Sequence, residues 1–262
     1  MMLVWFEVNG YTVLLDSDVA PGKVKSERSS YGEVILRDRL FQALRRINPN
    51  VPSMAIKEAI KILNSIPGDT PQAKNYNFRN FLLNGMNVSY QLGKYKLCNE
   101  LKLVDYSHIQ KNDWLVIQNF KVFQEKVCYS PEMVIFINGL PLGIIDLIRT
   151  NSQAFKLKES CGKIKFCSYK LPNIFSYSQI LVISNGNQAR VGNPYLNCEQ
   201  FIPWHSICRE ENLINGVTEL EILIQDFFDK RSFFKLMKDF IEFTEIDLDS
   251  IPKECKCRHK GD

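Results

Sequence analysis

The chain has 262 residues, 45% of them hydrophobic, and a formal net charge of +4. That length supports one substantial core, or one core with small additions. The near balance of charge excludes a histone-like or arm-like polybasic protein and leaves nucleic-acid binding open. No stretch approaches the roughly 18 uninterrupted apolar residues of a membrane span, and the opening MMLVWFEVNG lacks the basic segment of a secretory leader. The eight cysteines therefore read as buried, reduced thiols of a cytoplasmic protein, not as a disulfide framework. Cys98, Cys128, Cys161, Cys167, Cys198 and Cys208 lie in apolar or mixed segments without close pair spacing.

In chain order, residues 6–30 suggest a short edge strand at Val13-Leu14-Leu15, then a turn at Ala20-Pro21-Gly22. From Glu33 to Ile47 the pattern is helical, with Leu36, Leu40, Ala43, Leu44 and Ile47 on one face, and Asn48-Pro49 ends it. Ser53 is positioned to cap a second helix from Met54 to Leu63, and a third short helix spans Tyr76 to Leu83 before Asn84-Gly85. Strand character follows at Asn87–Tyr90, Leu101–Tyr106, Trp114–Phe123 and Met133–Ile148, with a hairpin reversal at Asn138-Gly139. Residues 154–169 read as helix, Gln179–Ser184 and Ala189–Val191 as short strands, and Leu220–Phe243 as two helical segments divided near Asp229–Ser232. The expectation is an α/β fold with a mixed β-sheet flanked by helices. It divides into a helical and extended region over 1–85 that packs on the core, a core with C-terminal helices over 86–245, and a polar tail over 246–262.

The hairpin carries the chemistry. Counting outward from Gly139-Leu140, Glu132 falls opposite Asp146 or Leu147, so two carboxylates can meet across antiparallel strands and share one cation. Mg²⁺, a hard ion, takes such oxygen ligands together with waters and a phosphate oxygen, and Mn²⁺ can stand in for it. Asp146 and Ile148 project to the same side, Arg149 to the other. Acidic residues at strand ends are common, and Glu132 can be simply solvated. Asp146 is harder to dismiss, because it interrupts an otherwise apolar strand, where a carboxylate is costly unless paired, metal-bound or at a cavity edge.

From about residue 10 to about residue 243 the sequence resembles the N-terminal region of the restriction (R, or HsdR) subunits of type I restriction–modification enzymes. The resemblance rests on Ala20-Pro21-Gly22, Glu27-Arg28-Ser29-Ser30-Tyr31, Arg46-Ile47-Asn48-Pro49 with Pro52, and Ala55-Ile56-Lys57-Glu58-Ala59-Ile60. It continues through Asn75 and Phe78, Leu82 and Gly85, Asp105, Asn112-Asp113 and Gln118-Asn119-Phe120. The densest segment is Val134-Ile135-Phe136-Ile137-Asn138-Gly139-Leu140-Pro141-Leu142, followed by Leu171-Pro172-Asn173-Ile174-Phe175 and Trp204.

The resemblance implies a restriction-endonuclease-like PD-(D/E)xK core that cleaves double-stranded DNA with Mg²⁺, alongside modification and specificity subunits. The family's aspartate falls on Glu132, its glutamate on Asp146 and its lysine on Ile148. A supporting glutamine and tyrosine on the following helix fall on Lys163 and Cys167, with Tyr169 out of register. Isoleucine at 148 can neither position a water nor offset phosphate charge, and Lys163 is the candidate to replace the missing lysine; solvated helix lysines are the plainer account of Lys163 and Lys165. Glu132, Asp146 and Lys163 are therefore the candidate catalytic residues, with Glu132 and Asp146 as metal ligands. The family's helix before Gly10, with its glutamate, looks incomplete here, since Glu7 lies close to Gly10. No Gly-x-x-x-x-Gly-Lys-(Ser/Thr) occurs, so the chain carries no ATP site of that kind.

Three readings stay open: a nuclease domain using Lys163, a silent relative that binds DNA or modification subunits, and a decaying restriction-gene fragment. Among minor signals, Cys255, Cys257 and His259 read better as a polar tail than as a zinc site. Trp114 and Trp204 read as core anchors. Arg28, Arg37, Arg45 and Arg46 read as surface charges more than as a DNA groove.

Overall fold

A computed structural model describes residues 2–148, 157–203 and 218–242. Its centre is a seven-stranded mixed sheet in the order β1-β4-β7-β8-β9-β10-β11. These strands are β1 (Thr12–Leu15), β4 (Trp114–Gln118), β7 (Met133–Ile137), β8 (Leu140–Leu147), β9 (Ile180–Ser184), β10 (Ala189–Gly192) and β11 (Ile202–Pro203). β1 runs parallel to β4, and β8 parallel to β9; the other neighbours are antiparallel. Two ribbons stand outside it: β2 (Met86–Leu92) with β3 (Tyr95–Leu101), and β5 (Val122–Gln124) with β6 (Val127–Tyr129). Every residue of β7 and β9 is buried, and β4 and β8 nearly so. Such continuous apolar strands arise where both faces of a sheet are covered.

The helices supply that cover: α1 (Met2–Val8), α2 (Asp16–Val19), α3 (Arg37–Ile47), α4 (Ser53–Asn64), α5 (Pro71–Asn84), α6 (Leu157–Lys170), α7 (Pro172–Phe175), α8 (Glu219–Asp226) and α9 (Lys230–Glu242). One apolar core runs from Phe6 of α1 to Met237 of α9. Residues 2–85, the described part of the region read from sequence as packing on the core, contribute β1 to the main sheet and share its apolar core. No helix among the described residues is long and apolar enough to cross a membrane.

Several local expectations need correction. The segment before Gly10 does form a helix, α1, which packs on β1 and α8 with Glu7 exposed. Ser53 begins α4 and does not cap it; Pro52 holds the cap position without a side-chain bond. α5 starts at Pro71 because the Thr70 hydroxyl accepts from the Ala73 N–H at 3.1 Å, a standard N-cap. The strand read at Leu101–Tyr106 lies earlier, at Tyr95–Leu101, and Trp114–Phe123 divides into β4 and β5 around Asn119. The thiols are not all reduced and buried: Cys161 is joined to Cys198, and Cys98 and Cys128 are exposed. Arg28 is not a surface charge but is buried against Asp16. Trp204, Cys208, Cys255, Cys257, His259 and the tail over 246–262 lie outside the described residues.

The β7–β8 hairpin is pinned at its tip. Asn138 and Gly139 have φ of 55° and 77°, the pair of positive values a two-residue type I′ turn requires. The buried Asn138 side chain accepts from the Asp113 N–H at 2.7 Å, and donates to the Leu103 carbonyl and Asn112 Oδ1, both at 2.9 Å. A Cβ on Gly139 would lie 2.5 Å from the Leu36 carbonyl oxygen, which is backbone and cannot rotate away. We expect Gly139→Ala to cost about 2–5 kcal/mol, the left-handed penalty plus overpacking. Gly93→Ala, also at positive φ but with nothing within 4 Å of the new methyl, should cost only about 1–2 kcal/mol. Urea melts of both variants check this; equal losses would show that the collision with Leu36 is relieved.

Candidate functional site

The two carboxylates arrive from adjacent strands. Met133 pairs with Ile145, so the next step outward sets Glu132 against Asp146. Asp146 sits in the last turn of pleat of β8, at the strand's carboxyl end, where the chain crosses over to α6 before returning as β9. It is 7% exposed, although it carries a carboxylate. Glu132 is half-buried; its Oε1 accepts from Gln118 Nε2 at 3.1 Å, and its carbonyl accepts from the Asn119 N–H at 2.9 Å. The β4 end thus anchors one acid and the β8 end presents the other.

α6 brings the cation. Lys163 Nζ lies 3.8 Å from Asp146 Oδ2, with the lysine side chain 64% exposed. Cys167 is one helical turn further along the same face and buried. Burial pushes its thiol up, with Lys163 pulling down and Asp146 adding to the rise. Tyr169 points away and is 70% exposed. Ile148 lies two residues beyond Asp146, half-buried against the core, its N–H donating to the Ser184 carbonyl at 2.7 Å. An isoleucine thus holds the position two residues on from Asp146, and the cation near that carboxylate comes from the helix.

The electrostatics of Asp146 combine four influences. Burial raises its carboxyl above the ordinary aspartate value, most strongly of all; Lys163 lowers it, the Tyr129 hydroxyl donating at 3.4 Å lowers it, and the charge of Glu132 raises it. A desolvated carboxylate facing a second acid gains from any cation placed between them. No group of three or more His, Cys, Asp or Glu with metal-binding geometry occurs among the described residues. Among the described residues the site offers two carboxylates, a donor set that fits Mg²⁺, which keeps most of its waters and binds through one or two carboxylates plus substrate phosphate.

Sequence reading brings Glu132, Asp146 and Lys163 together, and they are neighbours in space. It misses Tyr129 and Gln118. Tyr129 lies on β5–β6, a ribbon whose three-residue strands leave little alternation to read, so no signal marks it as facing Asp146, and Gln118 ends β4, where nothing local marks it as holding Glu132. The basic residues suggested for a groove disperse. Arg28 is buried, Arg37 pairs with Glu33, Arg45 lies over Phe41, and Arg46 donates to the Lys111 carbonyl.

A mixed seven-stranded sheet flanked by helices, with paired acids where β7 and β8 meet, is consistent with a restriction-endonuclease-like core. The sequence model described as Type I restriction enzyme R protein N terminus matches residues 1–195, and the chain belongs to that family. A protein of Methanocaldococcus jannaschii named as the type I restriction enzyme MjaIXP endonuclease subunit is 26% identical over 251 residues, 88% of this chain and 24% of that protein. The type I restriction enzyme HindI endonuclease subunit of Haemophilus influenzae is 24% identical over 252 residues, 94% of this chain and 23% of its own length. The chain thus spans about a quarter of these curated relatives.

Proposed function

We propose that the chain is a metal-dependent endonuclease domain of the PD-(D/E)xK type that cuts double-stranded DNA, with Lys163 in place of the lysine absent at position 148. The observation that carries this is the 3.8 Å approach of Lys163 Nζ to Asp146 Oδ2. Membership of the R-subunit family and the names of the relatives support it. In this reading Glu132 and Asp146 hold Mg²⁺ (Mn²⁺ as substitute). When bound, the ion supplies Lewis acidity to the phosphodiester and lowers the pKa of water. Glu132 and Asp146 orient it from two strands. Lys163, with three donors on an exposed stem, orients a water and offsets charge on the phosphate as it becomes pentacovalent. The partners are double-stranded DNA and the modification and specificity subunits, in the cytoplasm.

Ile148 favours a second reading, a silent relative that binds DNA or those subunits without cutting, since the half-buried isoleucine offers no donor where the family has its lysine. Nicking of supercoiled DNA by the purified chain with Mg²⁺ or Mn²⁺ separates the two. The endonuclease reading expects metal-dependent nicking that Asp146→Ala abolishes and Lys163→Ala reduces by roughly 10²–10³. Wild-type activity no higher than that of Asp146→Ala would favour the silent relative.

A further inference from the structure

The feature beside this site that the proposed function leaves unused is Tyr129. It ends β6, is 4% exposed, and its ring lies 5.6 Å from that of Phe175 on α7. Val122 is its cross-strand neighbour on β5. The phenol is thus clamped between a ribbon and a helix, and its hydroxyl reaches Asp146 Oδ2 at 3.4 Å. A buried hydroxyl needs a partner, and an ionised carboxylate only accepts, so the tyrosine donates. Lys163 approaches the same oxygen, Oδ2. The hydroxyl and the ammonium therefore approach the same oxygen of the carboxylate, and neither approaches Oδ1.

We infer that Tyr129 is a positioning residue for metal binding: it fixes the rotamer of Asp146 so that Oδ1 is presented to a divalent cation. The inference rests on the metal-site reading above and adds to it a residue on a separate element. Metal-ligating carboxylates are commonly held by such outer hydrogen bonds, whose loss weakens metal affinity about 10–100-fold. The ribbon then has a function in the site beyond covering the sheet.

The test is calorimetric titration of the 262-residue protein with MnCl₂, together with melting temperatures with and without Mn²⁺, for wild type, Tyr129→Phe and Asp146→Ala. Phenylalanine keeps the ring against Phe175 and removes only the hydroxyl. The expected result is Mn²⁺ affinity about tenfold or more weaker in Tyr129→Phe, a metal-free melting temperature close to wild type, and a smaller metal-induced rise. Unchanged affinity, with or without a lower metal-free melting temperature, would mean that Tyr129 only packs, and would overturn the inference while leaving the metal site standing. If wild type binds no Mn²⁺, or Asp146→Ala binds as wild type does, the metal site fails and the role of Tyr129 fails with it.

Discussion

Arg28→Ala should lower the stability of the protein by about 3–5 kcal/mol, the usual loss when one partner of a buried ion pair is removed. Arg28 Nη2 donates to Asp16 Oδ1 at 2.5 Å and Nη1 to the Lys121 carbonyl at 2.8 Å, while the guanidinium lies 3.9 Å from the centroid of Phe120. The Lys121 N–H also donates to Asp16 Oδ1 at 3.0 Å. One side chain thus joins α2, the loop after it, and the chain leaving β4. Alanine would strand the Asp16 carboxylate, empty the face of Phe120, and release the loop that leads into α3. Chemical denaturation measures the loss. Arg28→Lys should recover only part of it, because an ammonium cannot keep the planar fork on Asp16 and Lys121 at once. The double variant Asp16→Ala/Arg28→Ala should lose clearly less than the sum of the singles, since the second change removes a charge already stranded by the first. Additive losses would show that the pair is solvated and not a structural joint.

This explains why Glu27-Arg28-Ser29-Ser30-Tyr31 stands out in the sequence without being a DNA groove. The same holds for other family-like segments. Asn48 Nδ2 donates to the Leu44 and Lys102 carbonyls, and Oδ1 accepts from the Lys102 N–H, closing α3 onto the strand region. Asn75 Nδ2 donates to the Phe175 and Ser178 carbonyls, tying α5 to the approach of β9. Asp105, Asn112 and Asn138 form one network behind the hairpin tip. Polar residues buried and satisfied in this way fix how elements meet, and each removal leaves a buried group without a partner.

The hairpin was legible because its signals are local. Asn138-Gly139 dictates the turn, β-branched residues fill both strands, and counting outward leads to Glu132 and Asp146. Lys163 was legible only by resemblance, since no local signal in the sequence tells which face of α6 meets the sheet. Of the ribbon β2–β3, the first strand was read within its bounds and the second was misplaced for a physical reason. Tyr95–Glu100 is exposed or half-exposed on both faces and shows no alternation, whereas Leu103 and Val104 are buried in a loop and imitate a strand. The Cys161–Cys198 link spans 37 residues and joins α6 to the segment before β11, a proximity that only the tertiary fold creates.

The sharpest test of Lys163 is to move the cation back to the strand. Position 148 lies two residues after Asp146, just beyond the end of β8, and the Ile148 N–H is already held by the Ser184 carbonyl, so a side chain there has a fixed origin. If Lys163 supplies the ammonium, Lys163→Ala should reduce metal-dependent nicking by roughly 10²–10³, and Lys163→Ala/Ile148→Lys should regain most of that loss. The stability cost of Ile148→Lys should be about 1 kcal/mol, because Ile148 is only partly buried and a lysine can keep its stem on the core while its ammonium reaches the surface. Nicking rates with Mn²⁺, and Mn²⁺ affinity measured alongside, separate loss of chemistry from loss of the ion. A double variant that binds Mn²⁺ yet stays as slow as Lys163→Ala would sink the exchange of roles between helix and strand. If the wild-type chain does not cut at all but Ile148→Lys alone does, Lys163 is no substitute, and the acids were complete in a site lacking only its cation.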